Sequence, residues 1–420
     1  MSQTPSVSPQ VAPRGEESDL PALPLAGVRV ADFSWVLAGP HCTKWLAALG
    51  AEVIKVESHY RPDRFRGVPP FINDAESMDS SVAFNMLNYS KRDCTINLGD
   101  AEGQRMARRL IDSSDVVIEN FSTGVAERLG LDYQTLRDGH ESLVMVSSSG
   151  LGRTGPDTAM RAFGKSIHGF AGHTYLASWP GTPPRGVGGT WTDPLTGVTA
   201  ALAILAGLAH ARRTGGGIHF DLSMAESTIA LMAEPFLEYL ATGREPVPVG
   251  NRVPDCAPHN TYRCGDGRWV AITAHDDTEW QGLCATAAMP DDFAQLHELD
   301  ARRARLAEID AALDGWCATL ERDAVVRHLR TARVCCAPVL EFDELLSNEH
   351  FVARDLMTRL EADGIGSYHI VKLPWLQTPA APARYAPSPK LGQDNEYVFT
   401  EILGLSPPEI TRLTERNIFV

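Results

Sequence analysis

Val28-Arg29-Val30-Ala31-Asp32-Phe33, then Ala38-Gly39-Pro40 opening an apolar stretch to Leu49, then Glu52-Val53-Ile54-Lys55-Val56-Glu57 is the run whose reading decides the fold. Its two β-rich segments read as strands and the stretch between them as a helix, which makes a βαβ unit. The alternation continues through a strand at Cys94 to Leu98, a helix from Ala101 to about Ser113, a strand at Asp115 to Asn120, a helix near Val125 and a strand at Leu143 to Ser147. Strands interleaved with helices call for a parallel sheet covered on both faces. Ligands of such sheets sit at the carboxyl ends of the strands. The loops after Phe33, Glu57, Asn120 and Ser147 are therefore the first places to look.

Further along, Asp193 to Arg213 reads as one long apolar helix, closed by Arg212-Arg213-Thr214-Gly215-Gly216-Gly217 with cations and glycines where a helix end favours them. A strand at Ile218 to Leu222 and a helix to about Thr242 follow, and Gly243-Arg244-Glu245-Pro246-Val247-Pro248-Val249-Gly250 then breaks the pattern. A smaller α+β unit comes next, with the turn Gly265-Asp266-Gly267, a strand at Arg268 to Thr273 and helices between Asp277 and Arg330. The expected layout is a loose tail over 1–23, a large Rossmann-like α/β domain over 24–242 and a small α+β domain over 243–333. Residues 334–420 form a linker, with a strand at Val334 to Leu340, and a C-terminal segment that returns to the large domain. Met1 to Pro24 is rich in Pro, Ser and Glu and lacks the apolar core of a signal peptide.

The 420 residues are 44% apolar and 22% charged, so the chain folds by ordinary burial. Its 38 Lys and Arg against 53 Asp and Glu give a net charge of −15, which argues against nucleic acid as a partner. A small anion needs only two or three cations or N–H groups, whatever the global charge. Eight cysteines without a CxxC pair or zinc-type His spacing fit reduced thiols in a cytoplasm. The most apolar run, Leu195 to Ala209, is short for a bilayer and reads as a buried helix, so no membrane association is expected. No metal, flavin or nicotinamide is called for.

The first βα turn, Val36-Leu37-Ala38-Gly39-Pro40, lacks the glycine fingerprint of a dinucleotide site. Gly150-x-Gly152-x-x-Gly155 matches the bare string, yet Pro156 and Asp157 make it a loop. The chemical interest falls on Asp193, approached through Arg185-Gly186-Val187-Gly188-Gly189-Thr190-Trp191-Thr192. An aspartate at a helix start caps free N–H groups. Glycines before it also let a bulky ligand reach the carboxylate, and a helix N-terminus keeps it ionised as a nucleophile with an ordinary pKa of about 3.9. Trp35, Trp179 and Trp191 lie near the expected cleft, as core or as the wall of an acyl pocket. His41, His168, His173 and His259 read as structural or solvent-facing.

Several motifs then line up in order: Pro24 to Phe33, Leu49-Gly50-Ala51 through Glu57, Asn88-Tyr89-Ser90-Lys91-Arg92, Glu119-Asn120-Phe121, Gly155-Pro156, Asp193-x-x-x-Gly197, Arg213-Thr214-Gly215-x-Gly217, Ser223-Met224-x-Glu226 and Cys336-Ala337-Pro338-Val339. From about residue 24 to the C-terminus the chain resembles the class III CoA-transferases, the family of formyl-CoA transferase, carnitine CoA-transferase and α-methylacyl-CoA racemase. The resemblance implies transfer of CoA from an acyl-CoA to a free carboxylic acid through an aspartyl-CoA thioester on Asp193, with CoA as substrate and no bound cofactor. It also implies an interlocked homodimer, and CoA contacts from Leu37, Ala38, Asn120, Phe121, Arg128 and Arg161.

The sequence departs from the family pattern in three places. Ser58 stands where a family arginine is expected, with Arg61, Arg64 and Arg66 nearby as substitutes. Gly164 stands where the racemase has its aspartate base and formyl-CoA transferase a glutamate, and glycine abstracts no proton. The stretch Gly250 to His259 lacks the glycine run of formyl-CoA transferase, which argues against formate or oxalate as substrate. The alternatives to a CoA-transferase are a 2-methylacyl-CoA isomerase, disfavoured by Gly164, and a non-catalytic subunit of a heteromeric transferase.

Overall fold

The computed structural model describes residues 23–377, 383 and 385–420; residues 1–22 of the expected tail lie outside them. Six strands, β1 (Arg29–Asp32), β2 (Glu52–Glu57), β3 (Arg92–Thr95), β4 (Val116–Glu119), β5 (Val144–Ser149) and β6 (Ile218–Ser223), form a parallel sheet in the order β3-β2-β1-β4-β5-β6. Because side chains alternate along a strand, neighbours in β1 feed two different cores. Val30 joins Val53, Ile118 and Val146 beneath α1 (Ala38–Ala48), whereas Ala31 joins Ile54, Val117 and Met145 beneath α2 (Ala101–Asp112). This burial on both faces explains why the strands read as apolar runs.

The third strand starts slightly earlier than Cys94 and ends at Thr95, not Leu98. Just past Thr95 the Ile96 N–H still donates to Glu57 O of β2 at 2.8 Å, while the outward-facing Asn97 N–H donates to Ile418 O at 2.8 Å, so the C-terminal segment covers the open edge. That segment also reaches β3 through Asp394, and Phe399 stacks on Phe419 with centroids 3.7 Å apart in the α2-side core.

After α3 (Val125–Leu129), α4 (Gly164–Phe170) and α5 (His173–Leu176), the long helix α6 spans Thr192–Thr214 and ends on Gly215 in the left-handed conformation. Among the described residues, α6 alone is long and apolar enough to cross a membrane. Its buried residues Thr196, Gly197, Ala200, Ala201, Ile204, Gly207 and Leu208 form one face against the sheet and α1. The stretch to Thr242 is two helices, α7 (Met224–Leu231) and α8 (Ala233–Thr242), because the chain leaves helical geometry at Met232 ahead of Pro235.

The smaller sheet is antiparallel, β7 (His259–Arg263), β8 (Trp269–Thr273) and β9 (Cys335–Val339), over a separate core that includes Tyr262, Trp280 and Leu313. β9 lies past residue 333, so this unit extends into the stretch expected to be linker. A hairpin of β10 (Met357–Ala362) and β11 (Gly366–Val371), not anticipated from the sequence, follows it.

Candidate active site

Strand order reverses between β1 and β4, and an open parallel sheet leaves its ligand crevice at that switch point. The loops that leave the two strands are joined there. Asn120 accepts the N–H of Trp35 at 2.8 Å through Oδ1 and donates through Nδ2 to the Trp35 carbonyl at 2.8 Å. Phe121 meets the Trp35 ring edge to face, with centroids 6.4 Å apart. Leu37 is the residue before α1, without a side-chain cap bond, and Ala38 is the buried first residue of that helix. Val36, just before them, has φ 70°, an unusual conformation for a β-branched residue, and its N–H donates to Asp63 Oδ1 at 3.1 Å.

Small residues bring α6 to this crevice. A Cβ on Gly197 would lie 2.7 Å from the Ala38 carbonyl, and one on Gly39 would lie 2.2 Å from Ser34 Cβ. Asp193, one turn before Gly197, sits in the first turn of α6. The cap expected of it is not made. Its Oδ2 is buried without a hydrogen-bond partner, and burial raises its pKa from the ordinary 3.8 to about 6, opposed only by its own N–H. The carboxylate is thus less acidic than its residue type implies, yet about nine-tenths ionised at pH 7.

Gly164, the first residue of α4, faces that carboxylate. A Cβ at Gly164 would fall 2.1 Å from Asp193 Oδ2 and 3.1 Å from Thr190 Cβ. The position that lacks an acidic side chain is therefore filled by the Asp193 carboxylate itself. One turn along α4, His168 accepts the Thr192 N–H through Nε2 at 3.0 Å. No local pattern links the two segments, so that bond has no signature in the sequence.

The basic residues divide. Arg128 on α3 and Arg161 in the loop before α4 are exposed. Arg66 is unavailable to a ligand, because its side chain is fully buried and paired with Glu57 at 2.8 Å, Asp79 at 2.7 Å and Asp93 at 3.3 Å. Of the suggested substitutes at the end of β2, only Arg61 and Arg64 are exposed. Trp191 and Phe163 beside Asp193 and Gly164 are 64% and 69% exposed, while Trp179 packs against Gly250, where a Cβ would meet its ring at 2.5 Å.

Residues 25–395 match the family model described as CoA-transferase family III. The chain is 32% identical over 390 residues to a succinate–glutarate CoA-transferase of Agrobacterium fabrum, covering 90% of this chain and 96% of the relative. It is 32% identical over 426 residues to the alpha subunit of a succinyl-CoA–L-malate CoA-transferase of Chloroflexus aurantiacus, covering 99% and 97%. A CaiB/BaiF family protein of Brucella suis superposes with a TM-score of 0.82 at 29% identity, covering 91% of this chain and all of that one. The fold and its crevice thus define an α/β enzyme of the CaiB/BaiF kind. The chain belongs to CoA-transferase family III and is a class III CoA-transferase.

Proposed function

We propose that this enzyme moves CoA from a dicarboxylyl-CoA donor to a free carboxylic acid by way of an aspartyl-CoA thioester on Asp193. The observation that carries this reading is the half-buried Asp193 carboxylate, whose Oδ2 is buried without a hydrogen-bond partner, one turn from the contact with Ala38 at the crevice. A carboxylate that spends no lone pair on a structural hydrogen bond is available as a nucleophile.

In the scheme, an Asp193 oxygen attacks the thioester carbonyl, the C–S bond breaks and CoA leaves as thiolate, giving a mixed anhydride. The thiolate then attacks the Asp193 carbonyl and expels the donor acid, leaving Asp193 as the CoA thioester. The acceptor carboxylate attacks that thioester, releases the thiolate again and forms a second anhydride. Attack of the thiolate on the acceptor acyl carbon yields the new acyl-CoA and frees the carboxylate. Helix α1 begins without a side-chain cap, so its first N–H groups suit the developing oxyanions. Leu37, Ala38, Asn120 and Phe121 line the CoA side of the crevice, and exposed Arg128 and Arg161 meet its phosphates.

The donor class rests on relatives named for succinyl-CoA or succinate, with glutarate, D-citramalate, L-malate and mesaconate as the other acids. A second copy of the chain is the expected partner. Phe236, Leu237, Tyr239 and Leu240 on α8, with Val198, Leu202 and Leu205 on α6, expose an apolar surface that a monomer would leave in water. The eight free thiols, six of them buried, suit a reducing cytoplasm.

The test is a screen of succinyl-CoA and other acyl-CoA donors against these acids, read by mass spectrometry, with hydroxylamine trapping of the enzyme adduct. The wild type should yield an adduct on Asp193, and Asp193→Ala should lose about 10³-fold or more in turnover. Full activity in that variant would remove Asp193 as nucleophile. Solvent deuterium entering the α-carbon without an acceptor acid would point to an isomerase instead.

A further inference from the structure

Helix α6 begins on a residue that cannot cap it. Trp191, which precedes Thr192, makes no side-chain cap bond, and its indole N–H donates to the Gly188 carbonyl at 3.1 Å. The first N–H groups of a helix have no acceptor within it, and a nearby Ser, Thr, Asp or Asn usually supplies one. Here the acceptor comes from another helix: Nε2 of His168, a side chain with 1% exposure, takes the Thr192 N–H at 3.0 Å. His168 and Gly164 lie one turn apart on the same face of α4. That face therefore both leaves space for the Asp193 carboxylate and holds the residue before it.

We infer that His168 is the positioning residue for Asp193, capping α6 from outside so that the carboxylate is held at the gap beside Gly164. This rests on the reading of Asp193 as nucleophile. Acceptance at Nε2 requires a neutral ring with its proton on Nδ1. Burial, and then the neighbouring His173 ring on α5 at 5.0 Å, lower the proton affinity of His168 below the ordinary histidine range and keep it an acceptor at neutral pH. Asp193 approaches from α6. Met224 and Ala225 on α7 present an apolar surface, with Glu226 the acidic residue of that first turn, and α4 itself carries the exposed Lys165. A protonated His168 would turn an N–H toward the Thr192 N–H and lose the cap. Acid thus acts twice, on the nucleophile and on its support.

The experiment uses full-length His168→Ala, His168→Gln and Asp193→Ala proteins with the donor and acid pair that the wild type turns over fastest. His168→Ala should lower kcat about tenfold with KM for the acyl-CoA within about twofold, and should slow single-turnover adduct formation by the same factor. In His168→Gln the amide oxygen replaces the Nε2 lone pair, and kcat should return to within about threefold of wild type. The wild-type acid limb should involve two protons, while the Gln variant keeps a one-proton slope. A wild-type kcat in His168→Ala, or equal impairment of both variants, overturns the inference. Should the Ala variant fail to fold, an unchanged two-proton limb in His168→Gln overturns it as well. If Asp193→Ala stays active, the nucleophile reading fails; if Asp193→Ala is dead and His168→Ala is fully active, only the positioning role fails.

Discussion

Two aspartates near the crevice are both withdrawn from water, and they behave in opposite ways. Asp32, at the end of β1, accepts the Ser34 N–H at 3.0 Å, the Thr43 hydroxyl at 2.6 Å and the Lys91 ammonium at 3.2 Å. Burial alone would raise its pKa, but Lys91 and Lys55, then the hydroxyls of Ser34 and Thr43, hold it below the usual carboxylate range. Asp193 is less deeply buried and has no such partners, so its pKa rises to about 6. Partners, more than depth, separate a carboxylate held ionised by its neighbours from one whose proton affinity rises.

What the first carboxylate builds is the crevice loop. Lys91 also donates to the Pro40 carbonyl at 3.2 Å, and Lys55 bridges Asp63 at 2.9 Å and the Ser34 carbonyl at 2.7 Å. Asp63 in turn receives the Val36 N–H. A chain of buried charges therefore pins Ser34, Val36 and Pro40 around the crevice, and holds Val36 in a conformation it would not keep alone.

The contrast is open to attack from both sides. Asp32→Ala leaves Lys91 buried without its counter-charge and should cost about 3–5 kcal/mol of stability, seen as a lower denaturation midpoint. A stability loss under about 1 kcal/mol would show that the network does not depend on that pair. Gly164→Ala leaves the scaffold intact but places a methyl group where Asp193 Oδ2 lies, so turnover should fall about 100-fold with little change in the melting curve. Undiminished turnover would mean that the carboxylate moves aside freely.

Asp193→Asn gives the smallest effect, and its sign is opposite to that of Asp32→Ala. Folding raises the proton affinity of Asp193, so its stabilising contribution is complete below about pH 4 and is lost as pH rises through about 6. The Asn variant should therefore be more stable than wild type by about 2 kcal/mol at pH 7, with no difference near pH 4. Denaturant titrations at the two pH values measure it. A variant less stable at pH 7 would mean that Asp193 has structural partners after all.

The α/β alternation, the long helix and the place of Asp193 at its start were legible in the sequence, because hydrophobic periodicity and helix-end residues are local signals. The strand pattern pointed to the loops after Phe33 and Asn120, and the family resemblance to Leu37, Ala38, Asn120 and Phe121 at them. Tertiary structure alone decided that Gly164 is the space for a carboxylate, that Arg66 is spent on buried acids, that Asp193 Oδ2 has no partner, and that His168 accepts the Thr192 N–H. These depend on which distant segments meet and how much water they exclude, and neither desolvation nor an acceptor supplied by another helix leaves a periodic trace in the chain.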